Sequence, residues 1–372
     1  MVNKPIPTNL QRVLLVNPTK YLGNLLLAGG LMQAFSRHCQ AQDIQCRFVL
    51  DDSFRELCGP CFPADAIIWF PRRAIGQAGL TGKLSLYVNC LKQIRAFRAD
   101  LAFNIEEDSA TSHLTRLSGA GFKLGCSPLK HQRGYDHVLP LAFENRDPAK
   151  AHRWRSFLDV FTALGMEEPE PGYLDFGKLT VPEALSGKLH AAGWHNFKTT
   201  IALHAGATKD YKKWPLEHMA ALIGKIRDAG MQPVLLGAGE SDQQANQAIL
   251  DLLPDSRKVI NLCNLLSLLE LAQCLGQCSA MIGNDSGPFH LGSALGVPGL
   301  VLWGPTNKAI WGPLGKQSSL IQGPADCDPA CNKGYCLHDH RCLKELTPDL
   351  VSGRLQELLL QYPPQQPNLA GA

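Results

Sequence analysis

The stretch GNDSGPFH at residues 283–290 places an acid, two small residues and a histidine directly after an apolar run. Asp285 and Ser286 stand where a helix would begin, because the following PFHLGSALG has the apolar spacing of a short helix. Amides at a helix N-terminus attract anions, and Gly287 lets a ligand approach the backbone closely. The stretch therefore predicts an anion-binding turn with His290 close by. The alternative is that Asp285 only caps the helix and His290 only packs.

A second polar turn follows the apolar run TTIALHAG, in the segment HAGATKDYKKWPLEHM. It combines small residues, among them Thr208, with three lysines that come just before a predicted helix. A lysine at Lys212 or Lys213 would neutralise a departing diphosphate, which is the electrostatic help that phosphate departure needs. The competing interpretation of a lysine pair is a solvated surface, and we expect one of the two to be that.

The third polar turn is LLGAGESD, where glycines end a predicted strand and Glu240 follows. In dinucleotide sites, an acidic residue at this place accepts hydrogen bonds from ribose hydroxyls. A simple helix cap by Glu240 or Ser241 explains the same residues equally well. Three such turns at the ends of three strands are hard to explain by packing alone, and together they predict a site for a phosphorylated ligand.

Apolar segments of strand length alternate with helical segments through both halves of the chain. The predicted strands are RVLLV, QCRFVL, DAIIWF and ADLAFNI in the first half, and TTIALHAG, MQPVLLGAG, KVINL, CSAMIG and GLVLWG in the second. Such alternation predicts parallel sheets covered by helices on both faces. Ligands in these sheets bind at the carboxyl ends of the strands. In the first half, Asn24, Glu106 and Glu107 fall there.

The length of 372 residues predicts two domains rather than one. A proline-rich stretch, MEEPEPGYLDFGKLTVPEA, is the best candidate for the connection between them. We predict an α/β fold with two Rossmann-like domains facing each other across a cleft. The boundaries are a first domain at 1–165, a linker at 166–185, a second domain at 186–346, and a C-terminal helix and disordered tail at 347–372.

The composition argues against a dedicated nucleic-acid binder, a membrane-spanning protein and a secreted protein. A formal net charge of +3 is close to neutral for this length and argues against a dedicated nucleic-acid binder. No uninterrupted apolar run is long enough to span a membrane, and residues 1–11 lack the apolar core of a signal peptide. Most of the 13 cysteines are scattered singly in apolar surroundings, which indicates reduced thiols and a cytoplasmic protein.

The three polar turns, together with the continuation GVPGLVLWGPTNKAIWGP, resemble glycosyltransferase family 9, the lipopolysaccharide heptosyltransferases. RVLLVNPTKYLGN near the start of the chain fits the family more loosely. The resemblance implies a GT-B fold and an inverting transfer that requires no cofactor and no metal. It further implies ADP-heptose as the donor and a lipid-linked lipopolysaccharide core at the inner membrane surface as the acceptor, with no nucleic acid partner.

The resemblance also implies roles for residues of the second domain. Asp285, Ser286 and Gly287 form a phosphate-binding turn, with His290 beside it and Lys212 facing the diphosphate. The remaining donor-binding residues that it implies are Thr208 in the small-residue loop, Glu240 at the ribose, and Cys263 within the Leu262–Asn264 backbone that meets the adenine.

One position departs from the family pattern. The N-terminal loop of the family usually ends in Gly-Asp, and that aspartate is the expected general base in some members, whereas this chain has Asn24 there. An amide accepts no proton from a hydroxyl at neutral pH. Glu106, Glu107 and Asp108 follow a predicted strand and are the candidate catalytic substitutes. The alternative is a solvated acidic loop.

A cysteine-rich segment, CDPACNKGYCLHDHRC, contains Cys327, Cys331, Cys336 and Cys342. Four thiols so close together would hold a structural metal in a tetrahedral shell. The close C-x-x-C pair of many such sites is missing, so packed or adventitiously paired thiols are the alternative. In neither case is a metal expected to take part in the transfer.

Two other functions compete with glycosyl transfer. A sugar-nucleotide epimerase shares the two-domain architecture and would release nucleotide with no acceptor present. A nucleotide-sugar-binding protein that has lost catalysis would explain Asn24, because it would bind the donor without turning it over. We expect the protein in the cytoplasm, or peripherally at the inner face of the cytoplasmic membrane. Basic residues that would meet acceptor phosphates, or else are ordinary surface charge, are Lys123, Lys130, Arg133 and Arg155.

Overall fold

The computed structural model describes residues 3–106, 108–126, 133–139, 152–194, 199–323, 336 and 339–364. The chain divides into two compact units, residues 1–176 and 177–372, so the division falls inside the segment proposed as the linker. Each unit contains a six-stranded sheet in which all strand pairs are parallel. The α/β class predicted from the alternating pattern is confirmed.

The first unit alternates strands and helices. Its strands are β1 (Arg12–Val16), β2 (Gln45–Asp51), β3 (Ile67–Phe70), β4 (Leu101–Phe103), β5 (Phe122–Cys126) and β6 (His137–Leu139). Its helices are α1 (Leu22–Ala41), α2 (Arg55–Cys58), α3 (Arg72–Gln77), α4 (Leu80–Ala96), α5 (Ser109–Leu117) and α6 (Arg153–Ala163). The strand order is β3-β2-β1-β4-β5-β6. The order therefore reverses between β1 and β4, and this reversal is where doubly wound sheets bind ligands.

The second unit repeats this plan. Its strands are β7 (Thr200–His204), β8 (Gln232–Leu235), β9 (Ile260–Asn261), β10 (Ala280–Asn284), β11 (Gly299–Leu302) and β12 (Ser318–Ile321). Its helices are α7 (Glu183–Ala191), α8 (Leu216–Asp228), α9 (Glu240–Asp251), α10 (Leu268–Leu275), α11 (Gly287–Ala294), α12 (Lys308–Trp311), α13 (Arg341–Lys344) and α14 (Pro348–Gln361). The order β12-β11-β10-β7-β8-β9 reverses between β7 and β10.

The central strands are buried along their whole length, as expected for parallel strands covered on both faces. All five residues of β7 and of β10 are buried, and four of the five in β1 are. In β10, Ile282 lies opposite Leu203 of β7 and Leu300 of β11, so the middle of the sheet is held by large aliphatic side chains. This rigid apolar centre fixes the position of the polar residues that follow each strand.

The last helix, α14, packs against α8 of the second unit. Its buried residues Val351, Leu355 and Leu358 belong to the same apolar core as Ile223 and Ile226 of α8. Residues up to the end of α14 are therefore part of the second unit rather than an appendage to it. Among the helices of the described ranges, none combines the length and apolar character that crossing a membrane requires.

Two edge strands, β6 and β12, lack the apolar run that predicts a strand from sequence. All three residues of β6 are only half-buried, and β12 begins with two serines. An edge strand has one neighbour instead of two, so its sequence carries a weaker apolar pattern. The short strand at His137–Leu139 is therefore one that the apolar pattern does not predict.

Candidate functional site

The reversal point of the second sheet brings together the turns that follow β7 and β10. Lys212 ends a single 3-10 turn at Asp210–Lys212, just before α8. Its ammonium Nζ donates to Asp285 Oδ2 over 2.7 Å. Lys213 instead donates to the exposed carboxylate of Asp210. Of the two lysines that the sequence left open, Lys212 is the one directed to the strand-end turn.

Asp285 is buried, and its second carboxylate oxygen faces His290. The distance from Asp285 Oδ1 to His290 Nε2 is 3.7 Å. Burial alone would raise the pKa of the Asp285 carboxyl, but the His290 ring and the Lys212 charge together lower it below its ordinary value. Asp285 is therefore held as an anion that fixes a cation, and the simple capping role is wrong. Ser286 is the residue at the N-cap position of α11, and its side chain makes no capping hydrogen bond.

His204, the last residue of β7, lies between Ser286 and Asp242. Its Nδ1 is 3.1 Å from Ser286 Oγ, and its Nε2 is 3.4 Å from Asp242 Oδ2. The Ala238 amide donates to the same Asp242 oxygen. Burial raises the pKa of Asp242, but hydrogen bonds from His204 and Ala238 outweigh it and hold that pKa below its ordinary value. In the tautomer that carries its proton on Nε2, the ring donates to this carboxylate and Nδ1 accepts from the Ser286 hydroxyl.

Glycines after β7 and β8 make room for Asp242. A Cβ on Gly206 would lie 2.9 Å from His204 Nε2 and closer still to the Asp242 carboxylate. A Cβ on Gly237 would lie 2.7 Å from the Asp242 Cβ. Sequence reasoning missed both His204 and Asp242. The signal was present, since HAG and GESD both lie in the polar turns, but nothing in one sequence says that the two turns meet.

Asn284 ties the same two turns together through its side chain. Its Nδ2 donates to Ala205 O over 2.7 Å and its Oδ1 accepts from the Trp214 amide over 3.0 Å. The Trp214 indole is itself buried and donates to Leu346 O. The loop that carries Lys212 is therefore anchored on both sides of the lysine.

The other residues expected to bind the donor are exposed or half-buried. Glu240 is exposed at the start of α9, where its Oε1 accepts from Gln244. Thr208 is exposed in the loop after β7. Cys263 is half-buried, and burial together with Asp242 raises the pKa of its thiol. Asn264 Oδ1 accepts from the Gly239 amide, which joins the stretch predicted to meet the adenine to the turn predicted to bind the ribose.

The reversal point of the first sheet holds a buried carboxylate. Glu106 follows β4, and its Oε1 accepts a hydrogen bond from Asn24 Nδ2 in the first turns of α1. Arg153, at the start of α6, places Nη2 3.6 Å from the same oxygen. Glu106 is therefore not part of a solvated acidic loop. Asn24, the residue that stands at the expected base position, is its hydrogen-bond donor.

Burial raises the pKa of the Glu106 carboxyl above its ordinary value. The Arg153 charge and hydrogen bonds from Thr19 and Asn24 act in the opposite direction, and burial outweighs them. A carboxylate with raised proton affinity is what general base catalysis near neutral pH requires.

Asp108 and Glu107 are the two other candidate bases of this loop. Asp108 caps α5, because its Oδ1 accepts from the Thr111 amide over 2.9 Å. Glu107 lies outside the described residues. Of the candidate bases, Glu106 is the one that the described residues bring next to Asn24.

The cysteine-rich segment is described only in part. Cys327 and Cys331 lie outside the described residues, Cys336 is half-buried and Cys342 is buried. Within the described ranges, no group of three or more histidine, cysteine or acidic side chains is placed to hold a metal ion. The structural metal stays a prediction, and metal analysis of protein purified without a His tag decides it.

The basic residues considered for acceptor phosphates differ in their surroundings. Lys123 donates to Ala120 O, and Arg155 pairs with Glu168. Arg133 is exposed, and Lys130 lies outside the described residues.

A family model for glycosyltransferase family 9 (heptosyltransferase) matches residues 88–339. The chain belongs to this family. A family 9 relative, lipooligosaccharide heptosyltransferase 2 of Campylobacter jejuni, is 28% identical over 166 residues, which are 44% of this chain and 52% of that relative. The chain thus spans about half the length of the curated relatives it matches.

Solved structures of family 9 proteins show the same fold. The family 9 glycosyl transferase from Veillonella parvula aligns with a TM-score of 0.79 at 20% identity, covering 94% of this chain and 98% of that one. The ADP-heptose lps heptosyltransferase II of E. coli aligns with a TM-score of 0.73 at 21% identity, covering 94% and 99%. The GT-B fold predicted from the sequence motifs is confirmed.

Proposed function

We propose that this family 9 protein is an inverting glycosyltransferase that moves a heptose from ADP-heptose to the inner core of lipopolysaccharide. The observation that carries the proposal is the Lys212–Asp285 pair, 2.7 Å apart at the reversal point of the second sheet. Its relatives include heptosyltransferases from several bacteria, and the E. coli structure is that of an enzyme named for ADP-heptose.

The second unit binds the donor. Asp285 holds the Lys212 ammonium group at the strand-end turn, where a diphosphate accepts hydrogen bonds from it and from the amides at the start of α11. Positive charge at this place stabilises the departing ADP more than the intact donor, because negative charge grows on the diphosphate as the bond breaks. Glu240 binds the ribose, and backbone around Cys263 meets the adenine.

The first unit binds the acceptor and supplies the base. The Glu106 carboxylate takes the proton of the acceptor hydroxyl, whose oxygen forms a bond to the anomeric carbon of the heptose. The bond from that carbon to the diphosphate oxygen breaks, and its electron pair leaves with ADP. Attack from the face opposite the diphosphate inverts the anomeric configuration. No covalent intermediate, metal or other cofactor enters this sequence.

Asn24 has a positioning role in this proposal. Its amide donates to the carboxylate oxygen of Glu106, so it orients the base rather than replacing it. A hydrogen bond to the charged form of an acid stabilises that form. Asn24 therefore limits how far burial raises the pKa of Glu106.

The experiment is to measure ADP release from ADP-heptose, with and without heptose-deficient lipopolysaccharide, beside direct binding of ADP, UDP and GDP. Acceptor-dependent release, selective ADP binding and an inverted anomeric configuration by NMR are expected. Release without acceptor would indicate an epimerase, and binding without release would indicate a protein that has lost catalysis. Selective binding of UDP or GDP would overturn the proposed donor.

A further inference from the structure

Helix α4 presents an apolar face that its unit covers over only part of its length. Positions 84, 87, 91 and 94 recur every three or four residues, so their side chains share one face of the helix. In the second half of α4, Leu91 and Ile94 are buried in the core of the first unit. In the first half, Leu80 is 87% exposed and Leu84 is 66% exposed. The first half of α4 thus leaves two leucines of this face largely uncovered by the described residues, while Tyr87 packs against Phe70.

The surroundings of this face are strongly basic. Residues 71–98 contain six arginines and lysines and no acidic residue, whereas the remaining 344 residues contain 30 basic and 33 acidic ones. Arg73, Lys83 and Lys92 of this segment are exposed. Arg72 is neutralised by Asp51 in an ion pair. The positive charge of the protein is therefore concentrated in the segment of the chain that contains α4.

We propose that the first half of α4 docks on an anionic lipid bilayer. Leu80 and Leu84 enter the boundary between headgroups and acyl chains, and Lys83 contacts lipid phosphates beside them. Apolar side chains on one face of a helix combined with neighbouring cations are the features of helices that lie in a membrane interface. Each basic residue near an anionic surface strengthens such binding about fivefold.

The positive charge of segment 71–98 also argues against a second copy of the chain as the partner that covers α4. A two-fold contact would place the basic segment of one copy against the same segment of the other. Like charges in contact oppose association, whereas a bilayer of acidic lipids is complementary to them. The proposal does not depend on the donor or on the sugar transferred, so it stands or falls separately from the proposed function.

The chain offers a matched control at the other end of the sequence. Leu360 on α14 is 82% exposed, nearly as much as Leu80, but it belongs to the second unit and its helix contains Glu357 and Asp349. Leu360→Ser removes the same apolar side chain from a surface without the basic surroundings. It is expected to leave lipid binding unchanged.

The test is co-sedimentation of the full chain with vesicles of phosphatidylethanolamine and phosphatidylglycerol, and with vesicles of phosphatidylcholine alone. We expect binding to the anionic vesicles that weakens in 0.5 M salt. The double variant Leu80→Ser/Leu84→Ser and the variant Lys83→Glu should each weaken it at least tenfold. An unchanged far-ultraviolet circular dichroism spectrum and thermal unfolding midpoint of each variant show that the chain is folded.

Three results would overturn the proposal. The first is no preference of the wild-type chain for anionic vesicles. The second is equal vesicle binding by the wild-type chain and both α4 variants. The third is a concentration-dependent dimer, seen by sedimentation velocity, that the leucine double variant abolishes, because α4 would then be an interface between copies. Because the vesicles contain neither donor nor acceptor, none of these results bears on glycosyl transfer.

Discussion

Each unit carries a buried carboxylate after the strand at which the sheet order reverses. The pKa values of these two carboxyl groups are shifted in opposite directions. Asp285 of the second unit faces Lys212 and His290, and its pKa is lowered. Glu106 of the first unit receives the Asn24 amide, and burial raises its pKa. A carboxylate kept ionised can hold a cation at a binding turn, whereas one with raised proton affinity can take a proton. The same fold position thus supports binding in one unit and acid–base chemistry in the other.

The supporting asparagines make the comparison closer. Asn284 bridges the turns of the second unit through Ala205 and Trp214. Asn104 holds the loop of the first unit, donating to Glu106 O and accepting from the Cys126 amide. In the first unit the buried amide fixes the backbone that carries the acid, whereas in the second unit Asn284, the residue before Asp285, fixes the loop that carries Lys212. The difference in pKa therefore comes from the partners of each carboxylate rather than from looser placement of either one.

The largest effect is expected for Glu106→Gln. Removing a general base lowers turnover about 10²- to 10⁴-fold, while ADP affinity should stay unchanged because Glu106 belongs to the other unit. Steady-state kinetics with saturating donor and acceptor, beside calorimetric ADP titration, measure both quantities. Wild-type turnover in this variant would remove Glu106 from the mechanism, and Glu107→Gln would then be tested.

The pH dependence of turnover tests the role of Glu106 in a second way. Glu106 acts as a base only when ionised, so the rate falls as pH drops through its raised pKa, above the ordinary glutamate value of about 4.3. Asn24→Ala removes a donor to the ionised form and should move this acid limb to higher pH. An unmoved limb would show that Asn24 does not act through Glu106.

Lys212→Ala should come next in size. Loss of one preorganised positive group at a developing charge costs about 10²- to 10³-fold in rate, and Asp285 is left buried without its cation. Lys213→Ala is the matched variant, because Lys213 pairs with an exposed carboxylate. Its turnover should lie within about threefold of wild type. Similar losses in both variants would mean that the lysines act only through overall charge.

A smaller effect is expected for Asp242→Asn, which weakens the orientation of His204 and so of the Ser286 hydroxyl. We expect ADP to bind about tenfold more weakly, which corresponds to about 1.4 kcal/mol. Asp251→Asn makes the same change at the exposed end of α9 and should leave ADP affinity unchanged. Equal ADP affinities for both variants would show that the contact of His204 with Asp242 has no role in ADP binding.

The smallest effect is on stability. A pKa raised in the folded state favours folding below the unfolded pKa, near 4.3, and this gain is lost as pH rises through the folded pKa. Ionised Glu106 therefore costs stability at neutral pH. The Tm of Glu106→Gln, relative to that of wild type, should therefore be higher at pH 7.5 than near pH 4, whatever the loss of the Arg153 pair costs at both pH values. Thermal unfolding of both proteins at both pH values measures this difference, and a relative Tm that is lower at pH 7.5 would contradict the assigned direction of the pKa.

Sequence patterns predicted most of the sheet and much less of the site. Buried central strands such as β7 and β10 are recognisable because apolar side chains fill them, whereas edge strands such as β12 are not. The turn residues Lys212 and Asp285 were found because each lies in a polar turn with its own signature. The pairing of His204 with Asp242 could not be found, since it depends on how turns 38 residues apart meet at a sheet edge. Nor does sequence show that burial raises the pKa of Glu106.

The most direct test compares ADP affinity in Asp285→Asn and Glu106→Gln by calorimetric titration of the full chain. Both variants replace a buried carboxylate by an amide of the same shape. We expect at least tenfold weaker ADP binding for Asp285→Asn, and wild-type binding for Glu106→Gln. Weaker binding in Glu106→Gln with none in Asp285→Asn would contradict the division of binding and proton transfer between the two units.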